Sequence, residues 1–300
     1  MTATLLDGKA IGRQIREDIK RRVAALVART GITPSLAVIL VGRNPASRLY
    51  VNNKIKACAE VGIRSSLYEF PTETDAATVI DRIRALNADP GVHGILVQLP
   101  LPAHHDIQSV LRTVAMEKDV DGFHLYNVGG LVLGASTIFP PCTPHGVMKL
   151  LDFAGIDVAG KNVTIVGASN IVGKPMALMM LRREATVAIC HVRTRDLSQY
   201  TILADILIVA AGVPKLIVPQ MVQTGATVID VGINRLPDGK LVGDIDFEGV
   251  RQKAAFITPV PGGVGPMTVT MLLENTMIAA ERAAGGTATS SVAPALERTE

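Results

Sequence analysis

Tyr50 and Lys54 stand four residues apart in Y-V-N-N-K (50–54). On a helix that spacing puts both on one face. They lie beside, not opposite, an apolar stripe of Val51, Ile55 and Cys58. A lysine at the edge of such a stripe is partly desolvated, which favours its neutral form and base chemistry. The alternative is a lysine whose stem packs under the tyrosine while its head stays in water. Gln98 follows an apolar run in G-I-L-V-Q-L-P-L-P (94–102), where a buried amide must find partners. Asp119 and Asp121 fall in K-D-V-D-G. In an extended chain they point to opposite faces, so one can serve a turn and the other a ligand. Pro259–Pro266 (P-V-P-G-G-V-G-P) lacks bulk. It either borders a flat ligand or merely joins the last strand to the last helix.

A second set of residues points to phosphate. Val163–Gly173 reads V-T-I-V-G-A-S-N-I-V-G: a strand, a turn at Gly167, then a helix. Doubly wound sheets bind dinucleotides at such turns, on the helix N-terminus. The spacing departs from G-x-G-x-x-G, because Ser169 replaces the second glycine and Gly173 comes one residue late. Taken alone it also fits an ordinary strand–helix turn. The following strand ends in C-H-V-R-T-R-D (190–196). An NAD site usually places an acid there for the ribose 2′-hydroxyl. His191, Arg193 and Arg195 suit a 2′-phosphate instead, which favours NADP, while Asp196 leaves NAD open. Ala210–Pro214 and Asp230–Asn234 add two more turns rich in small residues at strand ends.

The elements that must position these groups alternate. Helical periodicity covers residues 9–28, Ala46–Val61 and Asp75–Ala88. Buried strands are predicted at Ser35–Val41, Ser66–Phe70 and Val92–Gln98, the last stopped by Pro100 and Pro102. Asp119–Pro144, with its glycines and prolines, reads as the linker between domains. The second half restarts with strands at Lys161–Val166, Thr186–Cys190, Ile206–Ala210, Ala226–Val231 and Phe256–Thr258, and a helix from about 171 to 183. Asn234–Gly243 is a loop or hairpin around Pro237-Asp238-Gly239. Met267–Ala284 is a final helix, and 285–300 reads as a disordered tail. The fold class is α/β in two domains. Residues 1–122 form an N-terminal α/β substrate domain. Residues 123–284 form a C-terminal Rossmann-type domain with a doubly wound parallel sheet.

Composition bounds the function. The 300 residues suit about two domains. Apolar residues make up 48% and mean hydropathy is +0.33, yet no run reaches membrane-spanning length. Net charge is +3 and aromatics are 3%, which argue against a nucleic-acid partner. The three cysteines, Cys58, Cys142 and Cys190, are widely spaced. They form neither a disulfide framework nor a metal pattern, as expected in a reducing cytoplasm. The opening residues hold no signal-peptide core, and Asp7, Glu17 and Asp18 argue against a transit peptide.

Six motifs occur in order: Y-V-N-N-K (50–54), V-Q-L-P-L-P (97–102), K-D-V-D-G (118–122), P-C-T-P (141–144), G-A-S-N-I-V-G-K-P (167–175) and P-G-G-V-G-P-M-T (261–268). With them the chain resembles the bifunctional methylenetetrahydrofolate dehydrogenase/cyclohydrolase family, the FolD type, over residues 4–284. The resemblance implies Lys54 as the catalytic lysine, Tyr50 packed on the folate ring and Gln98 as the lysine's partner. It implies Asp121 as the pterin-binding acid and Pro261, Gly262 and Gly263 in a substrate-side loop. Val97 and Leu99 flank Gln98 on the substrate side. Gly167, Ala168, Ser169, Gly173 and Ile233 become cofactor contacts, with His191 and Arg193 toward the 2′-phosphate. The implied cofactor is NADP, the substrate a folate, and the protein a homodimer without a metal. The terminal helix is expected to pack back on the first domain. A monofunctional dehydrogenase of the same family would lack the lysine. A non-enzymatic NADP-binding protein would not need the set of Tyr50, Lys54, Gln98 and Asp121. A hydroxy-acid dehydrogenase would need a His/Asp pair and a substrate arginine that the second half does not offer.

Overall fold

The structure is a computed structural model that describes residues 2–134 and 139–285. The tail expected from 286 onward, and part of the expected linker, lie outside these residues.

The chain opens with β1 (Thr4–Leu5) and α1 (Gly8–Thr30), then β2 (Ser35–Val41), α2 (Pro45–Val61), β3 (Arg64–Phe70), α3 (Ala76–Ala88) and β4 (Gly94–Val97). Helix α2 starts where the sequence dictates. Asn44 Oδ1 accepts from the N–H groups of Ala46 and Ser47, Pro45 occupies the first turn, and Gly62 closes the helix in the left-handed region. Strands β3, β2 and β4 form a parallel sheet in that order, with every residue of β2 buried. The strand order reverses at β2, so a crevice opens outside the carboxyl ends of β2 and β4. Gln98 sits there, immediately after β4.

The crossover is more structured than its composition suggests. It holds α4 (Ile107–Thr113), α5 (Leu125–Val132) and α6 (Cys142–Phe153). None of these helices is evident from the sequence pattern. Pro144 and Gly146 disguise α6, but a proline costs little in a first turn. A Cβ at Gly146 would lie 2.9 Å from Met267 Cβ, so the glycine permits close helix–helix packing.

The second sheet contains β5 (Asn162–Val166), β6 (Thr186–Cys190), β7 (Ile206–Val209), β8 (Thr227–Asp230) and β11 (Phe256–Ile257). Between them run α7 (Gly173–Leu181), α8 (Ser198–Thr201), the antiparallel hairpin β9 (Asn234–Arg235) and β10 (Leu241–Val242), and α9 (Phe247–Arg251). The sheet is parallel in the order β1-β11-β8-β7-β5-β6. Its switch point lies between β5 and β7. The N-terminal strand β1 joins this sheet beside β11, so residues 4–5 are placed apart from the three-stranded sheet that follows them in sequence. The sequence holds no local signal for that long-range pairing.

α10 (Val264–Ala283) ties the halves together. It packs between α1 and α6 and carries buried Met267, Met271, Leu272 and Met277 into the main core. Its polar face is also engaged. Arg22 of α1 pairs with Glu274 at 3.4 Å and Glu281 at 2.7 Å. Among the described residues no helix is long and apolar enough to cross a membrane.

Candidate active site

Helix α2 and the end of β4 bring two of the chemistry-bearing residues into contact. Lys54 Nζ donates to Gln98 Oε1 at 3.0 Å, and Gln98 Nε2 donates to the Leu99 carbonyl at 2.7 Å. The second bond fixes which end of the amide faces the lysine. Gln98 is 9% exposed, so the partnership is nearly dry. Lys54 uses one of its N–H groups on Gln98 and keeps others for a ligand.

Asp121 completes the cluster. Burial raises its carboxyl above the usual range, and the positive charge of Lys54 opposes that rise. The two side chains are therefore electrostatically coupled across the crevice. Cys142 anchors the segment from behind: its thiol donates to the Val120 carbonyl at 3.2 Å, and its N–H to the Asp121 carbonyl at 3.3 Å. Burial pushes that thiol well up, so it stays protonated. Asn275 of α10 donates to the Val120 carbonyl at 2.8 Å and to the Pro140 carbonyl at 3.3 Å. P-C-T-P and the terminal helix thus hold Asp121 in place, a role that neither Cys142 nor Asn275 reveals in sequence.

Asp119 takes the other role. It is buried and accepts from the His124 N–H at 2.7 Å and from Asn127 Nδ2 at 2.9 Å. It organises the start of α5, and burial raises its carboxyl to about 7. Val97 is 3% exposed and packs in the core behind the sheet, so its side chain is turned from the crevice and only its backbone remains for a ligand. Leu99 is partly buried against the same cluster.

The nucleotide turn has the shape its sequence implies. Gly167 has φ 122°, and a Cβ there would lie 2.2 Å from the Ala210 carbonyl oxygen. Only glycine lets the ends of β5 and β7 approach so closely. Ser169 Oγ accepts from the Val172 N–H at 3.1 Å and the Gly173 N–H at 3.4 Å. It caps the start of α7 while its own hydroxyl hydrogen stays available to an outside acceptor. Ala168 is part-exposed and Ser169 exposed. A cradle without side chains, at a helix N-terminus and beside a topological switch point, fits a dinucleotide. Arg193 is exposed at the end of β6, and its N–H donates to His191 Nδ1 at 3.1 Å. That ring nitrogen is an acceptor, so His191 shapes the turn, and the side chains of Arg193 and Arg195 are both exposed beside it. Among the described residues no group of three or more His, Cys, Asp or Glu could hold a metal ion.

The two crevices face each other. Burial raises the Tyr50 hydroxyl above its usual range, and the positive charge of Arg235, on β9 of the hairpin that follows β8, partly opposes this. A Cβ on Gly265 would lie 3.6 Å from Ile233 Cδ1, which sets the P-G-G-V-G-P loop beside Ile233. The Lys9 N–H donates to the Gly262 carbonyl at 3.1 Å, and the Gly263 N–H to the Pro259 carbonyl at 2.8 Å. Pro261 stays exposed at the loop's edge.

Comparison with known proteins reproduces this division. Residues 6–121 match the catalytic domain of tetrahydrofolate dehydrogenase/cyclohydrolase, and residues 141–284 match its NAD(P)-binding domain. The chain belongs to the tetrahydrofolate dehydrogenase/cyclohydrolase family. It is 62% identical to the bifunctional protein FolD of Nitrosospira multiformis, over 94% of this chain and 98% of that one. The crystal structure of the bifunctional FolD enzyme from Campylobacter jejuni has a TM-score of 0.92 at 54% identity, covering 93% of this chain and 99% of its own. The Trypanosoma brucei FolD structure, complexed with NADP cofactor and inhibitor, has a TM-score of 0.91 at 37% identity, covering 94% and 98%.

Within this tetrahydrofolate dehydrogenase/cyclohydrolase chain, one part of the second crevice escapes sequence reasoning. Asp230 and Asp244 are buried side by side beneath the strand ends, and burial raises Asp230 to about 7. The signals that point to them are D-V-G-I-N (230–234) and V-G-D-I-D (242–246). Each has an acid within two residues of a glycine at or just after a strand end.

Proposed function

We propose that this protein oxidises 5,10-methylenetetrahydrofolate to 5,10-methenyltetrahydrofolate with NADP and hydrolyses the product to 10-formyltetrahydrofolate, both in the cleft between its two sheets. The observation that carries the reading is the Lys54–Gln98 hydrogen bond, coupled to Asp121 and set opposite a glycine-lined nucleotide cradle. When bound, NADP supplies the acceptor for the hydride that leaves the methylene carbon. Gly167, Ala168, Ser169 and Gly173 hold its phosphates at the start of α7. Arg193 would pair with its 2′-phosphate, and Ile233, beside the 261–265 loop, would border the bound nucleotide.

Tyr50 covers the pterin face and Asp121 accepts from its polar edge. Pro261, Gly262 and Gly263 border it without bulk. The first step then depends on register between donor and acceptor carbons, which rigid elements provide. In the second step water adds to the methenyl carbon and loses one proton, leaving a neutral carbinol. The C–N5 bond then breaks as N5 gains a proton and the carbinol hydroxyl loses one to become the formyl carbonyl, so one proton is released overall. Lys54 manages that proton traffic, while Gln98 fixes its position and keeps one of its hydrogens occupied. Lys54 separates this reading from that of a monofunctional dehydrogenase, and the folate-side cluster separates it from that of a nucleotide-binding protein without activity.

The same reading includes a cytoplasmic homodimer. Buried, free Cys58, Cys142 and Cys190 suit a reducing compartment. β6, at the sheet's edge with exposed Ile189, suits pairing with a second copy. The deciding experiment supplies 5,10-methylenetetrahydrofolate with NADP⁺ or NAD⁺ and follows reduced nicotinamide and the methenyl species separately by absorbance. NADPH formation, with methenyl consumed faster than its uncatalysed hydrolysis, is expected. No reduction of either nucleotide would remove the dehydrogenase assignment.

A further inference from the structure

The crevice of the second sheet has a floor that no nucleotide motif describes. Asp244 Oδ2 accepts from the N–H groups of Ala211 at 2.7 Å and Gly212 at 2.8 Å, which form the turn after β7. Its Oδ1 accepts from Asn234 Nδ2 at 2.8 Å, in the segment after β8. Asp244 itself is fully buried. Asp230, at the end of β8, holds the acid in turn. Its Oδ1 accepts from the N–H groups of Gly232 and Asp244, both at 3.0 Å, and its Oδ2 from that of Ile245 at 3.1 Å. Two carboxylates thus satisfy six donors drawn from three chain segments. Such buried acids are retained only where their lone pairs are filled. The backbone is tailored to them: a Cβ on Gly243 would lie 1.8 Å from Asp230 Oδ2, and one on Gly232 would lie 2.2 Å from Asp244 Oδ1.

The segments so joined are the turn at 210–212 and the stretch 232–235. The first abuts Gly167, and the second carries Ile233 beside the 261–265 loop and Arg235 toward Tyr50. We propose that Asp244, seated on Asp230, is a positioning residue that sets the distance between these two walls, and so both nucleotide affinity and the register of Ile233 toward the folate. This rests on the nucleotide reading of the crevice. The brace makes no hydrogen bond to Lys54, Gln98 or Asp121, so hydrolysis of methenyl substrate depends on it far less than nucleotide binding does.

The test titrates NADPH fluorescence against wild type, Asp244→Ala and Asp244→Asn, and measures nucleotide-free hydrolysis of 5,10-methenyltetrahydrofolate on the same preparations. Asp244→Ala strands three donors, so its Kd for NADPH should rise about tenfold or more. Its hydrolysis should stay within about twofold, since the lysine cluster uses none of these bonds. Asp244→Asn should recover most of the affinity. Its amide oxygen can take the Ala211 and Gly212 bonds while its amide N–H₂ donates to a turned Asn234. If Asp244→Ala does not yield folded protein, Asn234→Ala decides, because it breaks only the link between the two walls. The brace is refuted if the folded variant binds NADPH like wild type, or if hydrolysis falls in step with affinity. Wild type that fails to bind NADPH would instead remove the nucleotide reading itself.

Discussion

Replacing Lys54 by glutamine separates the two halves of the reaction. In the native site Lys54 Nζ donates to Gln98 Oε1 at 3.0 Å, and its charge opposes the burial-driven rise of the Asp121 carboxyl. Lys54→Gln keeps a polar group of smaller reach but removes the charge and the titratable proton. A positioned acid–base group contributes about 10²- to 10⁴-fold, or roughly 3–5 kcal/mol in the barrier. Hydrolysis of the methenyl substrate should fall by that factor. Hydride transfer depends on register rather than on a proton, so NADPH formation should fall by less than about tenfold. A smaller second effect accompanies it. Without the cation Asp121 holds its proton to higher pH, so folate binding through its carboxylate should weaken most on the acid side. Absorbance assays of methenyl loss and NADPH gain on one preparation, with a melting curve as control, read both rates. Hydrolysis within tenfold of wild type, or equal losses in the two activities, would refute the role of Lys54.

Three other perturbations probe the rest of the site. Arg193→Ala should raise KM for NADP⁺ by roughly tenfold and leave KM for NAD⁺ nearly unchanged, since only the 2′-phosphate needs the guanidinium; equal effects on both nucleotides would argue against that contact. Gly167→Ala forces a Cβ to 2.2 Å from the Ala210 carbonyl oxygen at φ 122°, so it should cost about 2 kcal/mol or more in stability and abolish NADPH binding; an unchanged denaturation midpoint would contradict the geometry. Burial holds Asp119 protonated up to about pH 7, whereas the unfolded carboxyl titrates near 3.9. The native state therefore binds the extra proton between these values, and stability falls as pH rises through the window, by about 1.4 kcal/mol per unit for one such group. Asp119→Asn can keep both observed bonds on its amide oxygen and should flatten that slope; a variant with the same pH dependence as wild type would exclude Asp119 as its source.

Much of the framework was legible because it is written locally. Ser35–Val41, an unbroken apolar run after its first residue, is β2 from end to end; Thr186–Cys190 is likewise β6. Asn44-Pro45 and Gly62 mark the ends of α2 by capping chemistry that needs no tertiary partner. The phosphate turn could be located from Gly167, Ser169 and Gly173, because a strand, a glycine turn and a helix must occur in that order to point N–H groups at an anion. The crossover helices were not legible. α4 is only seven residues long, the glycines and proline of α5 and α6 disfavour helix when considered alone, and Gly146 of α6 admits α10 to close contact. The role of β1 was hidden for the same reason: a two-residue strand has no periodicity, and its partner lies about 250 residues away.

What the sequence determined by itself is a set of reagents and their local supports. These are Lys54 and Tyr50 on one helical face, Gln98 at a strand end, an acid pair in K-D-V-D-G, and a cradle without side chains. Short-range rules of capping, alternation and turn formation suffice for each. Alternation alone left both acids of K-D-V-D-G open and only the family resemblance pointed to Asp121; the tertiary structure engages Asp119 with His124 and Asn127 and sets Asp121 within reach of the Lys54 charge. It alone brought Arg235 and Ile233 opposite Tyr50 and the 261–265 loop, and it alone revealed the Asp230–Asp244 brace. Those relations join residues far apart in the chain, and their energy comes from excluding water between surfaces that local sequence does not bring together.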